Sequence, residues 1–184
     1  MPEAERPTPE LRLARLDEAD AIDALMKASA RDLFPGWYDA AQIAAAIVYV
    51  ASVDRTLIAD GTYFVAEADG ELVACGGWSR RDKMYAGSGN AAGDARLLDP
   101  ATEPARVRAM FVRSDWTRRG LGRRILEACE VAARAEGFRR LLLGATLPGR
   151  PFYEAYGFSA TGDERVIMPN GVEMAAVMME MPLG

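Results

Sequence analysis

Gly120-Leu121-Gly122 lies in the run Met110 to Arg124, where an apolar strand passes through a loop and opens a helix. The first amides of a helix have no intrahelical partner and sit at the positive end of its dipole. Glycine lets a ligand approach the backbone closely. Such a turn can cradle a pyrophosphate, and the arginines around it (Arg118, Arg119, Arg123, Arg124) supply counter-charge. The spacing is not that of a Walker A loop. Nor is it a dinucleotide fingerprint, because a third glycine and the later acidic residue are missing. A tight turn that only lets the helix pack closely is the competing reading.

The chain contains no histidine. That excludes Ser-His-Asp and Cys-His nucleophile pairs and an imidazole general base. With only Cys75 and Cys129 it also excludes the usual zinc ligand sets, so no metal is expected. Lys+Arg number 22 against Asp+Glu 27, for a net charge of −5. From Arg106 to Arg140 ten arginines face four acids, which is +6, so the remainder carries −5 − 6 = −11. An acidic chain with one basic segment suits a local anion site better than a surface that grips nucleic acid. A solvated helix face is the plainer reading of the same charges.

The elements that would position this loop can be read from pattern. Residues 1–10 are polar, hold three prolines and read as a disordered lead-in, with residues 11–184 as a single domain. Leu11 to Arg15 alternates like a strand, and Asp17-Glu18 open a helix to about Ala30. Asp39 caps a second helix through Val50, apolar nearly all round. That helix should be covered by the rest of the fold or by a second copy, so a homodimer is one expectation. Tyr63–Ala68 and Glu71–Trp78 form a hairpin over Asp69-Gly70. The pattern is lost over residues 79–104, a long loop by composition.

Arg106–Arg113 is a strand, and Gly120–Ala135 a helix burying Leu121, Ile125, Leu126, Cys129 and Ala132. Gly137-Phe138 ends that helix. Arg140–Thr146 is a strand parallel to the first by the right-handed crossover rule. A short helix, Pro151–Tyr156, stops at Gly157. Two strand-like runs follow, Ser159–Ile167 and Val172–Met181. The fold class is α+β: a mixed six- or seven-stranded sheet with helices on both faces. The longest uncharged run, residues 40–53, is too short to span a bilayer. Neither a membrane nor a targeting signal is expected, and the location expected is cytoplasmic, with both cysteines as free thiols.

Two motifs stand in register: Thr117-Arg118-Arg119-Gly120-Leu121-Gly122 and Tyr153-Glu154-Ala155-Tyr156-Gly157-Phe158. Through them residues 106–158 resemble the cofactor-binding half of the GNAT superfamily of N-acetyltransferases, and the order of elements agrees over about residues 11–182. The resemblance implies acetyl transfer from acetyl-CoA to a primary amine of a small molecule or peptide, by direct attack in a ternary complex. Pantetheine would pair with the backbone of Phe111, Val112 and Arg113. The pyrophosphate would sit on the amides of Arg118, Arg119, Gly120, Leu121, Gly122 and Arg123. Tyr153 matches the family tyrosine that protonates the departing thiolate, with core packing as its alternative.

Three departures stand out. Thr117 replaces the usual Gln or Arg. Thr146 stands where many members carry Asn. Arg106 stands where some carry a catalytic Glu. Glu67, Asp82, Glu103 and Glu173 remain candidates for the general base, with surface charge as their plainer reading. Arg106 and Arg108 could meet a carboxylate on the acceptor or simply pair with nearby acids. Trp37, Tyr38 and Trp78 could line an acceptor pocket or simply pack. A non-catalytic domain that senses acyl-CoA is the competing function.

Overall fold

A computed structural model describes residues 6–85 and 96–184. Seven strands form one mixed sheet: β1 (Glu10–Leu13), β2 (Tyr63–Ala68), β3 (Glu71–Ser79), β4 (Ala105–Val112), β5 (Arg140–Thr146), β6 (Ser159–Ile167) and β7 (Glu173–Pro182). Their order is β1-β2-β3-β4-β5-β7-β6, and β4–β5 is the parallel pair. The helices are α1 (Ala19–Leu33), α2 (Ala40–Tyr49), α3 (Arg55–Ala59), α4 (Leu121–Ala135) and α5 (Arg150–Tyr156). Alternation along the strands feeds two cores on opposite faces. Val65 and Cys75 pack with Ile22, Met26 and Ala46 from α1 and α2. Ala66 and Ala74 pack in the core of Ile125, Leu126, Cys129 and Leu143.

Local chemistry sets most boundaries. Asp39 accepts the Gln42 amide at 2.8 Å, and the Asp39 amide donates to Gln42 Oε1 at 3.0 Å, closing a capping box on α2. The hairpin turns through Asp69 at φ 52° and Gly70 at φ 77°, the left-handed pair a type I′ turn demands. Gly137, at φ 90°, ends α4 in a Schellman motif. Its amide donates to the Arg134 carbonyl at 2.9 Å, and the Phe138 amide donates to that of Ala133 at 3.1 Å.

Several expectations need correction. Residues 6–9, read as disordered, are tied down; residues 1–5 lie outside the described residues. Arg6 Nη1 donates to the Asp115 carbonyl at 3.0 Å, and Arg124 donates to that of Pro9 at 2.9 Å. Of the long loop, residues 86–95 lie outside the described residues. The rest is ordered by an Arg81–Leu97 bridge and by buried Leu98. On α4 the buried alanine is Ala133 rather than Ala132. The second helix buries Ala45 and Ala46 and half-buries Ile43 and Ile47, but leaves Val48 exposed.

The sheet opens where the site must lie. β4 and β5 pair only through Ala105–Leu141 and Arg106–Leu142. Beyond them, Ala109 takes φ 51° in a bulge opposite Gly76, which bends β4 away from its parallel neighbour. Gly76 is needed there, because a Cβ would collide with Met110 and touch Ile125 at 3.0 Å.

Candidate active site

The opened strands, the loop before α4 and the start of α5 enclose a cavity of about 950 Å³. Its walls carry Val112, Arg118, Gly120, Gly122, Phe152 and Tyr153. At one end the loop turns left-handed twice, at Arg118 (φ 62°) and Gly120 (φ 76°). Gly120 is the N-cap of α4, and its carbonyl accepts the Arg124 amide at 3.1 Å. Among the described residues, the amides of Arg118 through Arg123 have no hydrogen-bond partner. A run of unpaired donors at the positive end of a fifteen-residue helix has the chemistry to hold an anion.

The two glycines do different work. Gly120 supplies a backbone conformation. Gly122 supplies room: a Cβ there would lie 2.9 Å from the Phe152 ring. The packing reading of the motif therefore holds for its second glycine and the turn reading for its first. The arginines are arranged around the loop. Arg119 stacks on Trp116 with 5.2 Å to the ring centroid, and Arg123 stacks on Tyr156 at 5.2 Å. Arg118 is exposed and has no polar partner among the described residues.

Along β4, the Arg113 amide donates to the Val73 carbonyl at 2.9 Å, so it is engaged within the sheet. Its side chain pairs with Asp115 and Glu71. Phe111 pairs with Cys75 and is buried against α1 and α2. By alternation the backbone groups of Val112 face the opening. Its carbonyl already accepts Ser29 Oγ from α1 at 2.7 Å, a partner with no signal in the sequence.

Tyr153 enters from α5, whose first turn carries Pro151. Its ring packs against Phe152 and Phe158, with centroids 5.1 and 5.8 Å away. Its hydroxyl has no partner among the described residues, and the residue lines the cavity. Burial, with Cys129 nearby, pushes the phenol well above its ordinary pKa, so it holds its proton. Burial likewise pushes the Cys75 thiol up to about 12, and raises Cys129. Neither thiol is a nucleophile at neutral pH.

None of the four proposed bases lines the cavity. Glu67 pairs with Arg12, Asp82 with Arg96 and Arg106, Glu103 with Arg96, and Glu173 with Arg165. Arg106 donates to Asp82 and to the Pro104 carbonyl, and its buried Nε has no partner among the described residues. Trp78 is buried against Phe138 away from the cavity. Tyr38 is structural: its hydroxyl donates to the Ala175 carbonyl at 2.8 Å and accepts the Leu147 amide at 2.7 Å. Trp37 and Arg108 do line the cavity.

Two groups, one lining the cavity and one behind its wall, went unread in the sequence. Tyr85 lies over Gly144, where any side chain would meet its hydroxyl, and donates to Glu164 at 2.9 Å. Asp54 caps α3 and binds both Arg108 and Lys83. Burial alone would raise the Asp54 pKa, but the two cations and the Thr56 amide outweigh it and keep the carboxylate ionised.

A left-handed loop feeding unpaired amides toward the split parallel pair of a mixed sheet is the arrangement of an acetyltransferase fold of the GNAT type. The family model described as an acetyltransferase (GNAT) domain matches residues 59–160, more than half of the chain, and the chain belongs to that family. No curated protein sequence matches it significantly. Solved structures do. A GCN5-related N-acetyltransferase from Rhodopseudomonas palustris superposes with a TM-score of 0.74 at 22% identity, over 98% of this chain and 99% of that one. PaiA N-acetyltransferase from Thermoplasma acidophilum, solved with coenzyme A, gives 0.68 at 14% identity, covering 96% and 99%. YncA from Salmonella typhimurium, solved with acetyl-CoA, gives 0.62 at 16%, covering 97% and 95%. No helix among the described residues is long and apolar enough to cross a membrane.

Proposed function

We propose that the protein transfers acetyl from acetyl-CoA to a primary amine, in a complex holding both substrates. The observation that carries this reading is one cavity lined both by Tyr153 and by Arg118, Gly120, Leu121, Gly122 and Arg123, whose amides are unpaired among the described residues. Acetyl-CoA, when bound, supplies a thioester carbonyl open to attack by a neutral amine. Arg118, Arg119, Gly120, Leu121, Gly122 and Arg123 hold its pyrophosphate on their amides. The backbone of Val112, within the segment Phe111–Arg113, aligns the pantetheine like an added strand. Tyr153 holds a proton at its hydroxyl for the departing thiolate. The Tyr85 phenol offers the amine a way out for its proton, accepting at its oxygen while passing its own proton to Glu164.

Sensing without turnover has one observation in its favour. No carboxylate lines the cavity among the described residues. It predicts acetyl-CoA binding with no release of free thiol in the presence of amines. Transfer predicts amine-dependent thiol release and intersecting double-reciprocal plots. Parallel plots, the pattern of an acyl-enzyme, would contradict the direct mechanism. They would also conflict with two buried, protonated cysteines.

A further inference from the structure

One group in the cavity wall is not used by the cofactor loop. Arg108 lies on β4 four residues before Val112, at most about 13 Å along a bulged strand at ~3.3 Å per residue. Its side chain is only 2% exposed, yet it lines the cavity. Nη1 donates to the Lys83 carbonyl at 3.3 Å, and Nη2 donates to Asp54 Oδ2 at 3.2 Å. Lys83 Nζ reaches the same Oδ2 at 3.3 Å.

Two cations therefore share one carboxylate. Among the described residues neither has another acidic partner. The side chains of Lys83 and Asp54 are 16% and 9% exposed, so the cluster carries a net +1 largely out of water. A buried charge without a counter-charge is costly. A guanidinium has five N–H donors, and the two contacts above leave three without an acceptor among the described residues. Among the described residues, the charged side chains lining the cavity are Arg108, Arg118 and Arg123, all positive. The last two belong to the pyrophosphate loop. Arg108 stands apart from it.

We propose that Arg108 receives a carboxylate of the acceptor, which makes the acceptor a small amine that also bears a carboxylate. A single negative charge balances the cluster. A phosphate monoester would bring about −1.5 to −2 and overshoot it. Arg108 fixes the acceptor by its acid end and leaves the amine free to face the thioester. The inference rests on the acetyl-transfer reading and deepens it.

The test compares amines in pairs that differ only by the carboxylate: β-alanine with ethylamine, γ-aminobutyrate with propylamine, and L-phenylalanine with phenethylamine. Binding is read by thermal unfolding and calorimetry with saturating CoA, and transfer by thiol release from acetyl-CoA. At least one carboxylated member should bind, and should exceed its partner at least tenfold in kcat/KM. Arg108→Gln leaves Asp54 paired with Lys83. It should raise the KM of that amine tenfold or more, collapse the ratio within the pair toward one, and leave acetyl-CoA affinity unchanged. Lys83→Met should weaken carboxylate binding in the same direction, and serves if Arg108→Gln fails to fold. Equal or better performance by the plain amine in every pair, or no binding by any carboxylated member, overturns the inference. Failure of acetyl-CoA itself to bind would instead overturn the underlying reading.

Discussion

Tyr153→Phe should lower kcat by roughly 10²–10⁴-fold, the usual range for a lost general acid. Acetyl-CoA affinity and the unfolding midpoint should stay close to wild type. The hydroxyl has no partner among the described residues, so its removal strands no buried group. The ring contacts to Phe152 and Phe158 survive the change. Burial raises the phenol, so it stays protonated through neutral and mildly alkaline pH, and its deprotonation should not shape the rate profile there. A raised phenol is a weak acid toward a thiolate in water, whose parent thiol has a pKa near ~8.5. Inside the protein the comparison changes, because burial raises thiols too. Cys75 is pushed up to about 12 on the other face of the same sheet. A thiolate departing into the cavity, out of bulk water, is raised in the same direction as the phenol. A Tyr153→Phe variant with wild-type kcat would return the residue to a packing role. Loss of acetyl-CoA binding with unchanged kcat would do the same.

Gly122→Val should weaken acetyl-CoA binding by about tenfold to a hundredfold while the chain still folds. The new Cβ would stand 2.9 Å from the Phe152 ring, and two further carbons must fit behind it. Either α4 withdraws from α5 or Phe152 rotates away. Overpacking of this kind costs about 1–3 kcal/mol, and each 1.4 kcal/mol of binding is tenfold. Both movements also disturb the amides of the cradle and the neighbour of Tyr153. Gly122→Ala should show a smaller loss in the same direction. Calorimetry on both variants measures it, with circular dichroism as the check on folding. Unchanged affinity in Gly122→Val would mean that the cofactor does not depend on the first turn of α4.

Features set by a few adjacent residues were legible in the sequence. Asp39 marked its helix start, Asp69-Gly70 its hairpin and Gly137 its helix end, because each satisfies a local backbone demand. The Gly120-Leu121-Gly122 loop and Tyr153 also announced themselves, by motif and spacing. The sequence could not say which glycine turned the chain and which made room, since Phe152 is thirty residues away from Gly122. The opening of the sheet was equally hidden. It depends on Ala109, an ordinary residue in a left-handed bulge opposite Gly76, and nothing in the alternation of β4 marks it. Long-range ties account for the other surprises. Arg6 and Pro9 are held by Asp115 and Arg124, more than a hundred residues downstream. Tyr38 looked like a pocket aromatic because its two hydrogen-bond partners are equally remote in sequence. The Asp54–Lys83–Arg108 cluster is built from such ties, its members coming from three separate segments.

The central claim is that the loop before α4 binds acetyl-CoA. Thermal unfolding of the full chain, with and without saturating acetyl-CoA and with ATP as the comparison, tests it most directly. A ligand at ~100 times its dissociation constant adds about 2.7 kcal/mol to the native state. For a chain of this size that is a midpoint rise of roughly 5–10 °C, at about 2–4 °C per kcal/mol. A rise of that order is expected with acetyl-CoA, and little or none with ATP. No rise with acetyl-CoA, or an equal rise with ATP, would contradict it.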